Sequence, residues 1–386
     1  MLLADLLNNT LLLVCGGLLL TTFIYLCIYY GRVNLTIGRH CFHHSPIESQ
    51  PHEEDLPSVS IVLTAHNESE ALKKSLPYLL EQDYPNYEVV VVDYCSHDDT
   101  TFVLQVCAEN YSTLRVVHFQ EDVNMFQGRK YPLSIGIRSA KNDIILLTEP
   151  GCVPQSFQWV RQMARPFINA QTKIVLGHCA YEQPASFIES LAQYDNSASC
   201  ARWIAAAIHH HPYTGTGRNL AYRRQFFFDN GAFIRHYSEP NGADDLFVNQ
   251  NCTRSNTAVN IQPEAYVSTQ APSSRRAWRD IRTERFSTKK YYALSLKLRL
   301  ALHPFALVLF YLSAIAILIF AMPLWYIPVA FIVILWAWNI TTAYVLNKQI
   351  DIRKLRWLSP LLEIYFSLKN TISCLRALLS KKTSWR

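Results

Sequence analysis

The ten cysteines of this 386-residue chain include no Cys-x-x-Cys pair, and its histidine tracts lack the ligand spacing of a zinc site. The tracts "HCFHH" at 40–44 and "HHH" at 209–211 sit in or beside loops, so a zinc module is not expected. In a cytoplasmic domain the scattered cysteines stay reduced, and they read as small apolar core residues. No internal repeat and no low-complexity tract is present. A net charge of +6 is small for this length. Its cations cluster beside apolar runs, which points to anionic lipid headgroups and away from nucleic acid.

Long apolar runs are what the chain does have. Residues 11–30, "LLLVCGGLLLTTFIYLCIYY", carry no charge and are about the 20 residues that cross a bilayer core. No basic stretch precedes them, and Tyr29-Tyr30-Gly31-Arg32 is a poor small-residue cleavage site, so an uncleaved anchor is expected rather than a signal peptide. Residues 305–346 are again uncharged, and Pro323 and Pro328 interrupt them near the middle, which predicts a helical hairpin crossing twice. Arg32 and Arg39 follow the first span, Lys297 and Arg299 precede the hairpin, and Lys348, Arg353, Lys354 and Arg356 follow it. Positive flanks place the middle domain and the C-terminal tail in the cytoplasm.

The expected organisation is an anchor at 1–32, a linker at 33–57 and a catalytic domain at 58–297 that includes an interfacial helix at 273–293. A transmembrane hairpin at 298–347 and a basic amphipathic tail at 348–386 complete it. Between 58 and 147 the strands "SVSIVLTA", "YEVVVVD", "LRVVHF" and "DIILLT" alternate with helical stretches at 69–82, 100–110 and 133–140. That alternation predicts an α/β fold with a mostly parallel sheet and helices on both faces, whose ligands bind at the strands' carboxyl ends. There the chain places "AHNE", "DYCSHDD" and "TEPG". A long helix around 187–207 follows, then "GTGRNLAYRR" and "NGADDLF", then "SSRRAWRDIRTERFSTKKYY", whose seven Arg and Lys residues are interleaved with aromatics as in a membrane-surface helix. The tail keeps helical apolar spacing, but Glu363, Lys369 and Arg376 favour an interfacial helix over a third full crossing of that half.

Taken in order, "TAHNE", "VVVVDYCSHDDT", "QGRKYPLSIGI", "LLTEPGCVPQS", "GTGRNLAYRR" and "NGADDLF" resemble the inverting family 2 glycosyltransferases, closest to membrane-anchored bacterial members that build envelope polysaccharides or glycolipids. The resemblance implies a GT-A fold, a nucleotide-sugar donor linked to UDP or GDP, and a glycan or lipid-linked acceptor. It also implies a divalent metal on the diphosphate, and it places the protein in a bacterial inner membrane among membrane lipids. By position it assigns Ala65, Asn67, Glu68 and Asp93 to the nucleotide, with a helix N-cap as the structural alternative for Asn67 and for Asp98 and Asp99. Arg129 and Lys130 fall where a basic residue faces the diphosphate. Gly217, Arg218 and Asn219 fall on the acceptor-side loop, and Asp245, with Asp244 beside it, on the general base. Arg282 and Arg285 fall where polysaccharide synthases have a Gln-x-x-Arg-Trp motif, on one helix face that suits a diphosphate or a lipid headgroup.

The departure is at 149–151. Family members commonly read Thr-Asp-Ala-Asp-Cys-Val-Pro there, and this chain keeps Thr148, Cys152, Val153 and Pro154 but has Glu149 for the first Asp and Gly151 for the second. One carboxylate with diphosphate oxygens and waters suffices for weak Mg²⁺ or Mn²⁺ binding, and nearby arginines are the other way to stabilise the leaving group. The metal is therefore expected to be weakly held or dispensable. The competing reading is a catalytically weak or inactive binding subunit of a glycan assembly complex that has kept the fold.

Overall fold

The computed structural model describes residues 2–43, 55–119, 128–237, 239–347, 350 and 355–379. A first helix, α1 (Leu2–Tyr30), runs without a break through a π turn at Gly31–Leu35 into α2 (Thr36–His43). Part of the expected linker is therefore helical up to residue 43, while 44–54 lie outside the described residues. This extension is tied down on two sides: Asn34 Nδ2 donates to Thr342 Oγ1 at 3.0 Å, and Thr36 Oγ1 lies 2.9 Å from His209 Nε2.

The α/β domain opens with β1 (Val59–Ala65), α3 (Ser69–Leu80), β2 (Tyr87–Tyr94), α4 (Thr100–Asn110), β3 (Leu114–Phe119), α5 (Lys130–Ser139) and β4 (Ile144–Leu147). β1 pairs in parallel with both β2 and β4, and β2 with β3. After β4 come β5 (Val153–Pro154), α6 (Trp159–Ala164), β6 (Ile174–Gly177), β7 (Cys179–Tyr181), α7 (Phe187–Ile208) and β8 (Leu220–Arg223). Next are α8 (Arg224–Asp229), α9 (Asp245–Asn251), β9 (Thr257–Asn260) and β10 (Val267–Thr269). The main sheet has seven strands in the order β3-β2-β1-β4-β8-β6-β9, and β8 is antiparallel to both its neighbours. β5, β10 and β7 form a second, three-stranded sheet.

The physical reason for the layering is visible in single strands. Val62 packs into the core on one face, while Ile61 and Leu63 pack into the core on the other, as the period of two requires. The run Val89–Val92 is fully buried because helices cover both faces, as its four consecutive valines predict.

The membrane part is α1 against α11 (Leu294–Phe320) and α12 (Tyr326–Asn347), reached from the α/β domain through α10 (Arg275–Ser287) and a 3-10 turn at Thr288–Tyr291. Three helices, Thr10–His40, Leu294–Phe320 and Tyr326–Leu346, are long and apolar enough to cross a membrane. Leu19, Leu26, Phe310 and Ala314 pack inside this bundle, while Leu13, Phe305, Ile319 and Val333 point outward. An apolar outer face around a helical bundle suits lipid as its solvent. The tail helix α13 (Ser359–Leu379) returns to pack on α10, and Lys348, Arg353, Lys354 and residues 380–386 lie outside the described set.

Candidate active site

The strand-end turn after β4 is where the candidate site begins. Cys152 N donates to Glu149 O at 2.9 Å, and the Ser75 hydroxyl donates to Pro150 O, so the turn is braced from α3. This leaves the Glu149 side chain projecting between two arginines. Arg129 Nη1 donates to Glu149 Oε1, and Arg218 Nε donates to Oε2 at 2.9 Å. Burial alone would raise the Glu149 carboxyl, but the two guanidiniums outweigh it and hold it down at about 2. Arg129 is aimed by Gly128, whose φ of +110° and tight approach to Pro240 leave no room for a Cβ. Arg218 is set by the loop before β8, where its backbone O accepts from the Thr148 hydroxyl at 3.2 Å.

The resemblance implies a divalent metal here, and the donor set does not fit one. Both oxygens of the single strand-end carboxylate already accept from guanidinium groups. Among the described residues no three His, Cys, Asp or Glu side chains converge as metal ligands. Glu68 and Glu284 lie within electrostatic reach of Arg129, and burial pushes both carboxyls up. Glu284 is on α10 and no sequence motif singled it out.

The second half of the site is the acid pair. Asp244 accepts a 2.6 Å hydrogen bond from Gly217 N at Oδ2, which ties the glycine loop to the start of α9. Asp245 is enclosed by three hydroxyls: Thr214 and Tyr292 donate to Oδ1 and Thr288 donates to Oδ2. Burial pushes its carboxyl up and the three donors pull it back. Those donors come from the loop before β8 and from the segment after α10, a stretch whose basic and aromatic residues had pointed only to the membrane surface.

Several sequence assignments change. Lys130 is buried and its ammonium donates to His236 O at 2.6 Å, away from Arg129, with burial pulling it down to about 8. Asn219 is fully buried, donates to His178 O and Ala265 O at 2.8 Å each, and accepts from Trp159 Nε1, so it braces two loops. Arg282 is 1% exposed, ion-paired with Asp195 of α7, bonded to Asn370 and Ser373 of α13, and packed over Trp278, Phe286 and Phe366. It joins three helices. Arg285 remains at the cavity wall, 3.9 Å from Asp195.

At the nucleotide end, Ala65 closes β1 and Asn67 has a positive φ of 56°, with its Oδ1 accepting from His97 N at 2.7 Å. Asn67 therefore does not cap α3. Asp98, from the neighbouring loop, accepts from Ser69 N and Thr100 N instead. Asp93 is buried, accepting at Oδ2 from Thr101 and His118, while its Oδ1 has no partner among the described residues. An unsatisfied buried carboxylate oxygen at a strand end is what a ribose hydroxyl or base N–H would satisfy.

Arg129, Glu149, Gly217, Arg218, Asp244 and Asp245 all line one cavity of about 1710 Å³. Its far wall is built from Ile28, Tyr29 and Arg32 at the end of the first span and from Leu300 to Pro304 at the start of the second.

A mostly parallel α/β sheet with basic and acidic side chains at its strand ends, carried on membrane helices, defines a glycosyltransferase of GT-A type. The chain belongs to glycosyl transferase family 21, whose family model matches residues 19–386. It is similar to the glycosyltransferase AglE of Haloferax volcanii, 27% identical over 131 residues, which is 33% of this chain and 41% of that protein. It is also similar to the probable glycosyltransferase YdaM of Bacillus subtilis, 26% identical over 104 residues, 26% of this chain and 24% of that one. The chain thus spans less than half the length of these curated relatives. Among solved structures, the mannosyltransferase PcManGT of Pyrobaculum calidifontis, in complex with GDP-Man and Mn²⁺, shares the fold. The TM-score is 0.55 at 19% identity, covering 94% of this chain and 99% of that one. The number of the matched family differs from that of the family whose motifs the sequence resembles.

Proposed function

We propose that this protein is a membrane-bound enzyme that transfers a sugar from a nucleotide-sugar donor to a lipid-linked acceptor with inversion. The observation that carries the reading is the single cavity that holds the strand-end arginines, the acid pair and the ends of two candidate spans. A soluble acceptor would not require that continuity. Positive flanks at Arg32, Arg39, Lys297 and Arg299 support a cytoplasmic catalytic domain at a bacterial inner membrane.

The chemistry assigns a role to each group. The donor's nucleoside lies toward Asn67 and Asp93, and its diphosphate lies against Arg129 and Arg218. The acceptor hydroxyl comes in from the membrane side to the acid pair. As the hydroxyl oxygen bonds to the anomeric carbon, its proton passes to Asp245, and the bond from that carbon to the diphosphate breaks. The nucleoside diphosphate leaves as an anion stabilised by the two guanidiniums, and one displacement inverts the anomeric centre. This course is that of the family 2 enzymes whose motifs the chain resembles. PcManGT was solved with a GDP-sugar and Mn²⁺. Here the arginine pair makes Mg²⁺ or Mn²⁺ dispensable.

The test uses the full chain in detergent with a panel of UDP- and GDP-sugars and with lipid-linked and soluble acceptors. Transfer to a lipid-linked acceptor is expected, and Asp245→Asn is expected to lower it by at least about a hundredfold with nucleotide binding retained. Absence of both turnover and nucleotide binding across the panel sinks the enzyme reading, and equal transfer to soluble glycans sinks the lipid part.

A further inference from the structure

Two of the half-buried cations of the cavity wall make no ion pair among the described residues. Arg202 of α7 and Lys289 of the 3-10 turn after α10 are both half-buried and both line it. Among the described residues, neither side chain makes a hydrogen bond or an ion pair; the Lys289 ammonium only rests 3.7 Å from the Phe286 ring centroid. The other half-buried cations of the wall, Arg129, Arg218 and Arg285, are engaged by contrast. Arg129 and Arg218 hold Glu149, Arg285 leans on Asp195 and Asn196, and Lys297 donates to Lys290 O at 2.7 Å.

Their position is as informative as their isolation. Lys289 follows Thr288, whose hydroxyl holds Asp245, and Lys289 lies within electrostatic reach of Asp245, Arg285 and Arg202. Arg202 in turn reaches Tyr29 at the end of the first span. Lys289 is thus an electrostatic neighbour of the acid pair, and Arg202 of the first span.

Holding two like charges together, partly out of water, is unfavourable. Burial first, and then repulsion from Arg202 and Arg285, pull the Lys289 ammonium down to about 8. The carboxyl groups that Arg202 feels, Glu363 and Asp195, are not within ion-pair distance of it. Asp195 is committed to Arg282, and burial pushes the Glu363 carboxyl up against the opposing pull of Arg202. An anion entering between Arg202 and Lys289 would relieve the repulsion and form charge-assisted hydrogen bonds to both.

We propose that Arg202 and Lys289 form a phosphate subsite for the acceptor. The lipid that is glycosylated carries a phosphate or phosphodiester between its hydrocarbon chains and its accepting hydroxyl. The proposal rests on the lipid-acceptor reading above and adds the charge of the headgroup to it.

The experiment measures binding of three probes, decyl phosphate, decanol and inorganic phosphate, to the full-length protein in a nonionic amphipol. Decyl phosphate is expected to bind at least tenfold more tightly than decanol. Arg202→Gln and Lys289→Gln should each remove most of that advantage without changing decanol binding, which serves as the folding control, and Arg202→Lys should keep part of it. If decanol and decyl phosphate bind equally, the phosphate subsite is wrong and the lipid reading stands. If neither binds, both are wrong. Inorganic phosphate binding as tightly as decyl phosphate would overturn the assignment to a lipid, and undiminished decyl phosphate binding in the Gln variants would overturn the assignment to these residues.

Discussion

Arg218 Nε stands 2.9 Å from Glu149 Oε2, on the turn where related enzymes place a metal-binding carboxylate pair. With Arg129 on the other oxygen, the carboxylate becomes a brace for two guanidiniums. In the proposed function a cation is still presented to the donor diphosphate, but it is organic, planar and fixed. Glu149 keeps the two like charges together, and each guanidinium retains N–H groups beyond the one given to Glu149.

If the brace has replaced the metal, restoring the second carboxylate should restore metal dependence. A Cβ built at Gly151 meets nothing closer than Thr269 Oγ1 at 3.6 Å, so Gly151→Asp fits the turn without moving backbone. Transfer by the native protein is expected to be indifferent to EDTA, and Gly151→Asp to gain a Mn²⁺ requirement or stimulation of several-fold. A metal titration of initial rates checks this, and a native enzyme that EDTA abolishes would count against the arginine brace.

The same brace makes stability depend on pH with a definite sign. Glu149 has its folded pKa depressed to about 2 from the usual 4.5 of a glutamate. Its contribution is therefore complete above the unfolded value and is lost as pH falls from about 4.5 toward about 2. Glu149→Gln should cost on the order of 2 kcal/mol near neutral pH once solvent screening is allowed for. Thermal unfolding in detergent should show that gap closing on acidification. A gap that stays constant down to pH 3 would show that the carboxylate charge is not what matters.

What could be read from the sequence was whatever depends on near neighbours along the chain. The four valines at 89–92 announce a strand covered on both faces, and adjacent acids at 244 and 245 announce a site, because strand period and helix start are local. Lys130, Asn219 and Arg282 have partners, His236, Trp159 and Asp195, that other elements bring to them, and no local pattern announces such pairings. Burial at the end of a long polar side chain has no local signature. Thr214, Thr288 and Tyr292 converge on Asp245 from two separate segments, so the hydroxyl cage was equally invisible.

That cage allows a kinetic prediction. Tyr292 donates to Asp245 Oδ1, and such a bond favours the ionised carboxylate. Tyr292→Phe removes the donor, so burial is less opposed and the Asp245 pKa should rise. The acidic limb of the pH profile for kcat is expected to move to higher pH, with a loss of about tenfold at neutral pH. A lower rate with an unmoved limb would mean that Tyr292 only shapes the cavity.

Arg282 gives the sharpest separation of a structural from a catalytic role. It is buried with Asp195, whose carboxyl burial would raise but which Arg282 and Arg285 hold below its usual value. Trp278 Nε1 also donates to that carboxylate at 3.3 Å, so three helices depend on one charge pair. Arg282→Met strands Asp195 without its main partner, and breaking a buried pair from one side costs about 3–5 kcal/mol. Adding Asp195→Asn should recover part of that loss, because the stranded charge is then gone. Nucleotide affinity of the folded fraction should stay within about twofold of the native value, since a diphosphate at Arg129 and Arg218 does not touch this pair. Unfolding midpoints and nucleotide binding, measured on the same two variants, check both halves. A tenfold loss of affinity with an unchanged midpoint would return Arg282 to the diphosphate site.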